Sequence, residues 1–200
     1  HEAELERVAL ERDLEGAAAR GELFLVYQPQ VDPEGNPIAF EALVRWQHPQ
    51  RGLLAPDAFI SLAERTGSVV AIGEWVLRRA CADFRALWRR WPSLARVAVN
   101  VSVAHIATGG LHAAVLHALA ESELPARLLE LEVTETGVMD DLHEVKRTLD
   151  QLRQSGVRVA LDDFGTGYSS LTHLRQLSIW ALKIDRSFVQ GIGVDRDDET

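Results

Sequence analysis

The sequence predicts an α/β fold in which strands and helices alternate along the chain. Two late apolar runs, Val97–Val101 and Val157–Leu161, are nearly continuous, which is typical of parallel strands buried on both faces. Longer stretches with helical spacing separate such runs, and strand–helix–strand units cross over in the right-handed sense. The pattern therefore indicates a parallel sheet covered by helices, either open or closed into a barrel.

The predicted elements follow one another without an internal repeat or a low-complexity segment. The predicted strands are Phe24–Val31, Pro37–Trp46, Val97–Val101, Leu128–Val133, Val157–Leu161 and Ala181–Ile184. The predicted helices are residues 1–21, Pro56–Thr66, Val69–Trp91, Gly110–Ser122, Leu142–Ser155 and Ser169–Leu177. Pro56 suits the first turn of its helix, and Gly21 suits a helix C-cap. We interpret residues 1–21 as a solvated edge helix, with a linker from an upstream signalling domain as the alternative.

The composition is that of an ordinary globular protein, with 46% hydrophobic and 26% charged residues in 200. No apolar run reaches the roughly 18 residues of a membrane-spanning helix, and no signal peptide is visible. The only cysteine, Cys81, has no partner in the chain, which favours a reducing compartment such as the cytoplasm. The net charge of −9, without a basic stripe, argues against a nucleic-acid reader.

Polar residues stand in or just after nearly every predicted strand. They are Glu41, Asn100, Glu132, Glu135, Asp162, Asp163, Lys183 and Asp185. Each one alone has an ordinary explanation as a cap, a turn residue or a surface charge. Because the ends of parallel strands converge on one face of a barrel, the whole set indicates a functional site there.

Six carboxylates and one lysine in a partly buried mouth carry too much negative charge to be balanced by pairing alone. Bound cations would balance it, and they would also allow an anionic ligand to approach. Because the candidate ligands are all oxygen donors, Mg²⁺, Mn²⁺ or Ca²⁺ is favoured over zinc. The residues alone therefore predict a divalent-metal site that binds and hydrolyses a phosphodiester.

An ordered set of motifs supports a narrower interpretation. The most specific is the ten-residue segment Asp162–Leu171, and a second is Glu41-Ala42-Leu43. The others are Tyr27-Gln28-Pro29, Asn100-Val101-Ser102, Glu132-Val133-Thr134-Glu135 and Lys183-Ile184-Asp185. Taken together, and over essentially the whole chain, these motifs resemble the EAL-domain family of cyclic di-GMP phosphodiesterases.

The resemblance implies a modified (β/α)8 barrel whose first strand is antiparallel to the rest. Residues 22–200 would be the phosphodiesterase domain, and residues 1–21 a linker-like helix. The implied metal ligands are Glu41, Asn100, Glu132, Asp162 and Asp163. The implied catalytic residues are Lys183, Glu41, Asp162 and Asp163. Substrate contacts are implied for Gln28, Leu43, Arg45 and Asp185, and anchoring of the Gly165–Ser170 loop for Glu135 and Thr134.

The resemblance also implies a reaction, cofactors and partners. Cyclic di-GMP would be hydrolysed to linear pGpG by in-line attack of water, with two Mg²⁺ or Mn²⁺ ions and with Ca²⁺ as an inhibitor. A homodimer and an upstream sensory or GGDEF domain are expected, without nucleic-acid or membrane contacts. The alternatives are a non-catalytic cyclic di-GMP receptor and a dimerisation domain with an idle pocket. All matched positions keep the residue types that catalysis needs, which favours the enzyme.

One departure from the family concerns the C-terminal end of the sequence. The sequence ends after the sixth predicted strand, whereas a family barrel continues through two more strands. Those strands carry a glutamate linked to the second metal and a glutamine in the pocket. A barrel of this type needs about 250 residues, so we expect the biological chain to be longer.

Overall fold

The fold is built on one sheet in a computed structural model that describes residues 2–135, 142–165 and 177–190. The strands are β1 (Leu23–Val31), β2 (Pro37–His48), β3 (Gly52–Leu54), β4 (Arg96–Asn100), β5 (Leu129–Thr134), β6 (Arg158–Phe164) and β7 (Ala181–Ile184). The sheet order is β1-β2-β4-β5-β6-β7, and β3 pairs with β2. β1 is antiparallel to β2, whereas β2, β4, β5, β6 and β7 are parallel. The predicted antiparallel first strand and parallel remainder are confirmed.

Helices occupy most of the chain between these strands. They are α1 (Glu2–Leu14), α2 (Ile60–Thr66), α3 (Ser68–Arg90), α4 (Val103–Ala107), α5 (Leu111–Ser122), α6 (Leu142–Gln154) and α7 (Ser187–Gln190), with 3-10 turns at Pro56–Ala58 and Ala126–Leu128. The predicted helix Pro56–Thr66 is therefore two elements, because Phe59 leaves the helical region with φ of −140°. The predicted helix Ser169–Leu177 lies outside the described residues except for Leu177.

The core lies between the sheet and the helices on its outer face. α3 shows why: its apolar residues recur every three or four positions and form one stripe. The buried members of that stripe are Val69, Ile72, Val76, Leu77, Ala80, Cys81 and Phe84. β5 contributes Leu129, Leu131 and Val133 to the same core. This packing fixes the strands whose ends carry the polar residues.

The prediction of a solvated N-terminal helix is wrong for its last turns. Leu10 and Leu14 of α1, and Ala17 beyond it, are 8%, 2% and 1% exposed and belong to the core. Val8 is 51% exposed, so the buried stripe of α1 runs through Leu10 and Leu14. α1 ends at Leu14, short of the predicted cap at Gly21. The i, i+4 spacing places the two leucines one above the other on the helix, and packing of this face on the core buries them.

The strand register places the predicted site residues on one face of the sheet. Directly paired residues on neighbouring strands point to the same side. The relevant pairs are Gln28 with Glu41, Glu41 with Ala98, Asn100 with Glu132, Thr134 with Asp162, and Ala160 with Ala181. Lys183 shares this face because it stands two residues beyond Ala181. The face opposite the helix-covered core therefore collects the site.

Candidate metal centre

A lysine surrounded by three carboxylates forms the centre of the site. Lys183 Nζ donates hydrogen bonds to Glu132 Oε2 at 2.7 Å, Asp162 Oδ2 at 3.0 Å and Glu41 Oε2 at 3.3 Å. These four residues come from β7, β5, β6 and β2, so four separate strands must be in register to build the cluster. The structure thus brings together four residues that the sequence predicted for the site.

Glu132 is the most buried member of the cluster, with 1% of its surface exposed. Burial raises its carboxyl pKa to about 7, the neighbouring Lys183 opposes that rise, and the charges of Glu41 and Asp162 add to it. Its Oε1 is buried and has no hydrogen-bond partner within the described residues. Burial alone would lower the pKa of Lys183, but the surrounding carboxylates outweigh this effect and raise it.

Two further predicted ligands lie beside the cluster. Asn100, the last residue of β4, donates from Nδ2 to Glu41 Oε1 at 2.8 Å, and this bond orients both side chains; Glu41 stands within β2. The Asp163 backbone N–H donates to Asp162 Oδ1 at 3.0 Å, and Asp163 has a φ of 54°. Burial raises the carboxyl pKa of Asp163, with the charges of Asp162 and Asp185 adding to the effect. The left-handed backbone conformation of Asp163 is uncommon outside glycine and marks a special position in the backbone.

The cluster fits a hard divalent cation. One carboxylate oxygen from each of Glu41, Glu132 and Asp162 lies within 4.8 Å of the others. Carboxylate oxygens are the preferred ligands of Mg²⁺ and Mn²⁺, and the unpartnered Oε1 of Glu132 lacks the contact that a buried oxygen needs. The carbonyl oxygen of the Asn100 side chain would complete an all-oxygen set, in keeping with its predicted role.

The predicted substrate residues line the sheet next to the carboxylates. Gln28 is exposed on β1 and pairs directly with Glu41. Leu43 and Arg45 follow Glu41 at alternate positions of β2 and so share its face. Among the described residues Arg45 has no carboxylate partner, and its Nη1 donates to the Val44 carbonyl at 2.8 Å. A partly buried guanidinium thus stands on the same strand and strand face as Glu41.

Asp185 has a structural contact that the sequence did not predict. Its Oδ1 accepts hydrogen bonds from the Ser187 hydroxyl and from the Ser187 backbone N–H, the latter at 2.8 Å. These bonds lower the carboxyl pKa of Asp185. Asp185 therefore caps the start of α7, and a substrate contact stays a prediction.

The predicted anchor of the Gly165–Ser170 loop, Glu135, lies just after the end of β5 and contacts the chain just after the end of β6. Glu135 is 1% exposed, and its Oε2 accepts a hydrogen bond from the Gly165 backbone N–H at 2.8 Å. Thr134 is exposed and pairs with Asp162 across the two strands. Residues 166–170 of the loop lie outside the described residues.

A cavity of about 930 Å³, which the sequence did not predict, opens next to the carboxylates. It lies between β2, α2, α3 and α4, is mainly apolar, and reaches Asn100 and Glu132. Ser102 and Glu64 close one side with a hydrogen bond of 2.7 Å. Ser102 is the N-cap of the short helix α4, and a serine in this position is a sequence signal for the start of the helix that forms this side of the cavity. A cavity of this size can hold part of a nucleotide.

Comparison with known protein families decides between the possible barrel families. A family model described as the EAL domain matches residues 11–200. The chain belongs to the EAL domain family. This EAL domain is 44% identical over 194 residues to the cyclic di-GMP phosphodiesterase NbdA of Pseudomonas aeruginosa, covering 96% of the chain and 25% of that protein. It is 45% identical over 199 residues to the bifunctional diguanylate cyclase/cyclic di-GMP phosphodiesterase MucR of the same species, covering 96% and 28%.

Solved structures give the same picture for the fold. The PaMucR phosphodiesterase in complex with c-di-GMP superposes with a TM-score of 0.89 at 44% identity, covering 96% of the EAL domain and 78% of that chain. The TIM-barrel-like fold predicted from the resemblance is thereby confirmed. The EAL domain spans about a quarter of the length of the two curated relatives. Among its described helices, none has both the length and the apolar character that crossing a bilayer requires.

Proposed function

We propose that this EAL domain hydrolyses cyclic di-GMP to linear pGpG in a metal-dependent reaction. The observation that carries the proposal is the convergence of Glu41, Glu132 and Asp162 on Lys183, at 2.7 to 3.3 Å, from four strands. It is supported by 44% identity to a relative named as a cyclic di-GMP phosphodiesterase. A complex of a relative with c-di-GMP, at 44% identity, supports the same substrate.

The carboxylates would hold the metal ions of the reaction. Glu41, Glu132 and Asp162 would bind the first Mg²⁺ or Mn²⁺ with Asn100, and Asp162 with Asp163 would bind a second. When bound, such ions supply Lewis-acid activation of water and offset the charge of the phosphodiester. Ca²⁺ accepts the same oxygen ligands with a looser geometry, so we expect it to occupy the site and inhibit.

The side chains around the metal centre would bind and orient the substrate. The Arg45 guanidinium, which has no described carboxylate partner, fits a phosphate through two parallel hydrogen bonds. Gln28 and Leu43 would contact the ligand on the same face of the sheet. The cavity of about 930 Å³ would receive a base, since it reaches both Asn100 and Glu132. Lys183 would hold the attacking water or the phosphate, and Asp185 would support the ligand from the end of β7.

The remaining predictions concern the whole protein. MucR is named as both a diguanylate cyclase and a phosphodiesterase, so an upstream GGDEF or sensory domain is a reasonable partner for the present chain. Residues 1–21 would then connect that partner to the phosphodiesterase domain of residues 22–200. Glu135 and Thr134 would couple the metal centre to a homodimer interface through the loop after Gly165. We propose the cytoplasm as the site of action, in keeping with the unpaired, buried Cys81.

Product analysis tests the proposal directly. The domain is incubated with cyclic di-GMP and Mg²⁺ or Mn²⁺, and pGpG is followed by chromatography. We expect turnover that chelator, Glu41→Gln and Asp162→Asn each abolish, while Glu121→Gln on α5, whose side chain is 60% exposed, leaves it unchanged. If the domain binds cyclic di-GMP but does not hydrolyse it, the result would reject the enzyme and support the receptor alternative.

A further inference from the structure

The ammonium of Lys183 lies among the three carboxylates that could hold a cation. It contacts one oxygen from each of the three carboxylates that group within 4.8 Å, at 2.7, 3.0 and 3.3 Å. A divalent ion held by the same three oxygens would need nearly the same position. Two cations cannot share that position, because Coulomb repulsion at such short range is severe in a partly buried site.

The second oxygens of the three carboxylates have different surroundings. Glu41 Oε1 accepts from Asn100, and Asp162 Oδ1 accepts from the Asp163 backbone N–H. Glu132 Oε1 is buried and has no hydrogen-bond partner among the described residues. Each carboxylate therefore turns one oxygen toward Lys183, and two of the three have the other oxygen held by the protein. An ion held by all three carboxylates would therefore draw on the oxygens that face Lys183, with Glu132 Oε1 as a further ligand.

We propose that Lys183 is an internal counter-ion that exchanges with the divalent ion. Its ammonium holds Glu41, Glu132 and Asp162 together, competes with the ion for their oxygens, and leaves the centre when the ion is bound. The displaced side chain is then available to the substrate beside the carboxylates. The inference rests on the proposed function, in which these carboxylates bind a metal, and it adds that metal binding and the placement of Lys183 are coupled.

The exchange makes two opposite predictions for one substitution. Lys183→Met keeps an unbranched side chain that is one atom shorter, and it removes the charge. Without the competing ammonium, the affinity for Mg²⁺ should rise at least about tenfold, so the Kd should fall by the same factor. Without the counter-ion, three carboxylates repel one another, and Tm in chelator should fall by about 6 °C or more. A lysine that only touches substrate would produce neither change.

The chain offers a matched control, because Lys146 and Lys183 are its only lysines. Lys146 pairs with Asp150 at 2.8 Å on α6, and its side chain is 44% exposed. Lys146→Met removes the same charge from an ion pair outside the cluster. We expect Mg²⁺ affinity and Tm close to those of the wild type for this variant.

The test measures metal binding without substrate. Calorimetric titration with Mg²⁺ compares wild type, Lys183→Met and Lys146→Met, and circular dichroism confirms that each variant is folded. With ¹³C-labelled lysine, the unmodified protein gives one ε-methylene signal per lysine, assigned by the two substitutions. The Lys183 signal should move in proportion to the Mg²⁺ bound, while the Lys146 signal stays in place.

Several outcomes would overturn the exchange. Unchanged or weaker Mg²⁺ binding by folded Lys183→Met would do so, and so would a Lys183 signal that ignores Mg²⁺ in the wild type. The second measurement holds even if the variant does not fold. Wild-type protein that binds no metal would overturn both the exchange and the proposed function. Metal binding with the expected lysine response but without turnover of cyclic di-GMP would support the exchange and reject the proposed function alone.

Discussion

Glu135, directly after β5, accepts a hydrogen bond of 2.8 Å from the backbone N–H of Gly165, directly after β6. The same two strands carry Glu132 and Asp162 three residues before each end of this bond. A buried carboxylate bonded to a backbone amide therefore fixes the distance between two members of the metal centre. Glu135 is not one of the three carboxylates that Lys183 contacts, and its bond to Gly165 joins the ends of the two strands that carry Glu132 and Asp162.

Removal of this contact should weaken metal binding. In Glu135→Ala the ends of β5 and β6 lose their link, and Glu132 and Asp162 are no longer held at a fixed separation. Side chains that orient metal ligands typically contribute about 10–100-fold in affinity, and we expect a loss of Mg²⁺ affinity in that range. Calorimetric titration measures this loss, with Glu121→Gln on α5 as the control. Wild-type affinity in Glu135→Ala would show that the bond does not position the ligands.

Gly165 cannot be replaced by alanine without a local rearrangement. Its φ is +104°, and a Cβ at this position would lie 2.6 Å from Cε2 of Phe188. Gly165→Ala should therefore lower Tm and weaken Mg²⁺ binding, because both the backbone and the ring must move. Gly165→Ala with Phe188→Leu relieves the collision but not the backbone strain. The double variant should recover part of the lost Tm, and full recovery or none would contradict one of the two causes.

Much of the site could be predicted because its polar residues stand in or just after the predicted strands. Glu41, Asn100, Glu132, Asp162 and Lys183 are predicted from their positions in or just after the strands, and the structure brings them together. The central place of Lys183 was not predictable, since it depends on the register of four strands. Short elements such as β3 and α4 were missed because three to five residues show no periodicity. The burial of Leu14 depends on tertiary packing that no local pattern records.

The raised pKa of Glu132 predicts a specific dependence on pH. Its carboxyl titrates at about 7 in the folded protein, against 4.5 as the ordinary value. Between these values the folded state holds a proton that the unfolded state has released, so stability in chelator falls as pH rises through this window. Metal binding needs the deprotonated carboxylate, so Mg²⁺ affinity rises over the same window and levels off above it.

Thermal unfolding in chelator and Mg²⁺ titration from about pH 5 to about pH 8 would check both slopes. Glu132→Gln is the matched variant, because its amide stays neutral at every pH in the series. Its Tm should lose the downward slope that the wild type shows between pH 4.5 and about 7. A wild-type Tm in chelator that rises across this window would mean that Glu132 is ionised throughout and that its burial is offset by Lys183.

The ion pair of Arg96 and Glu130 should contribute to stability without contributing to metal binding. Arg96 Nε donates to Glu130 Oε1 at 2.9 Å, and Arg96 Nη2 donates to Gln30 Oε1 at 3.0 Å. Glu130 is 2% exposed, and its Oε2 has no described hydrogen-bond partner, so Arg96 is the cation that balances it. The pair lies toward the starts of β4 and β5, whereas the metal ligands lie toward their ends.

Arg96→Met leaves the Glu130 carboxylate buried without a cation. Breaking a buried pair in this way costs about 3–5 kcal/mol, so urea denaturation should show a loss of that order in the free energy of unfolding. Arg96→Met with Glu130→Leu removes both charges and should recover most of the loss, because a packed apolar pair is close to neutral in stability. Mg²⁺ affinity should stay near the wild-type value in the double variant. A loss below about 1 kcal/mol in the single variant would place the pair among exposed ion pairs and show that water reaches Glu130.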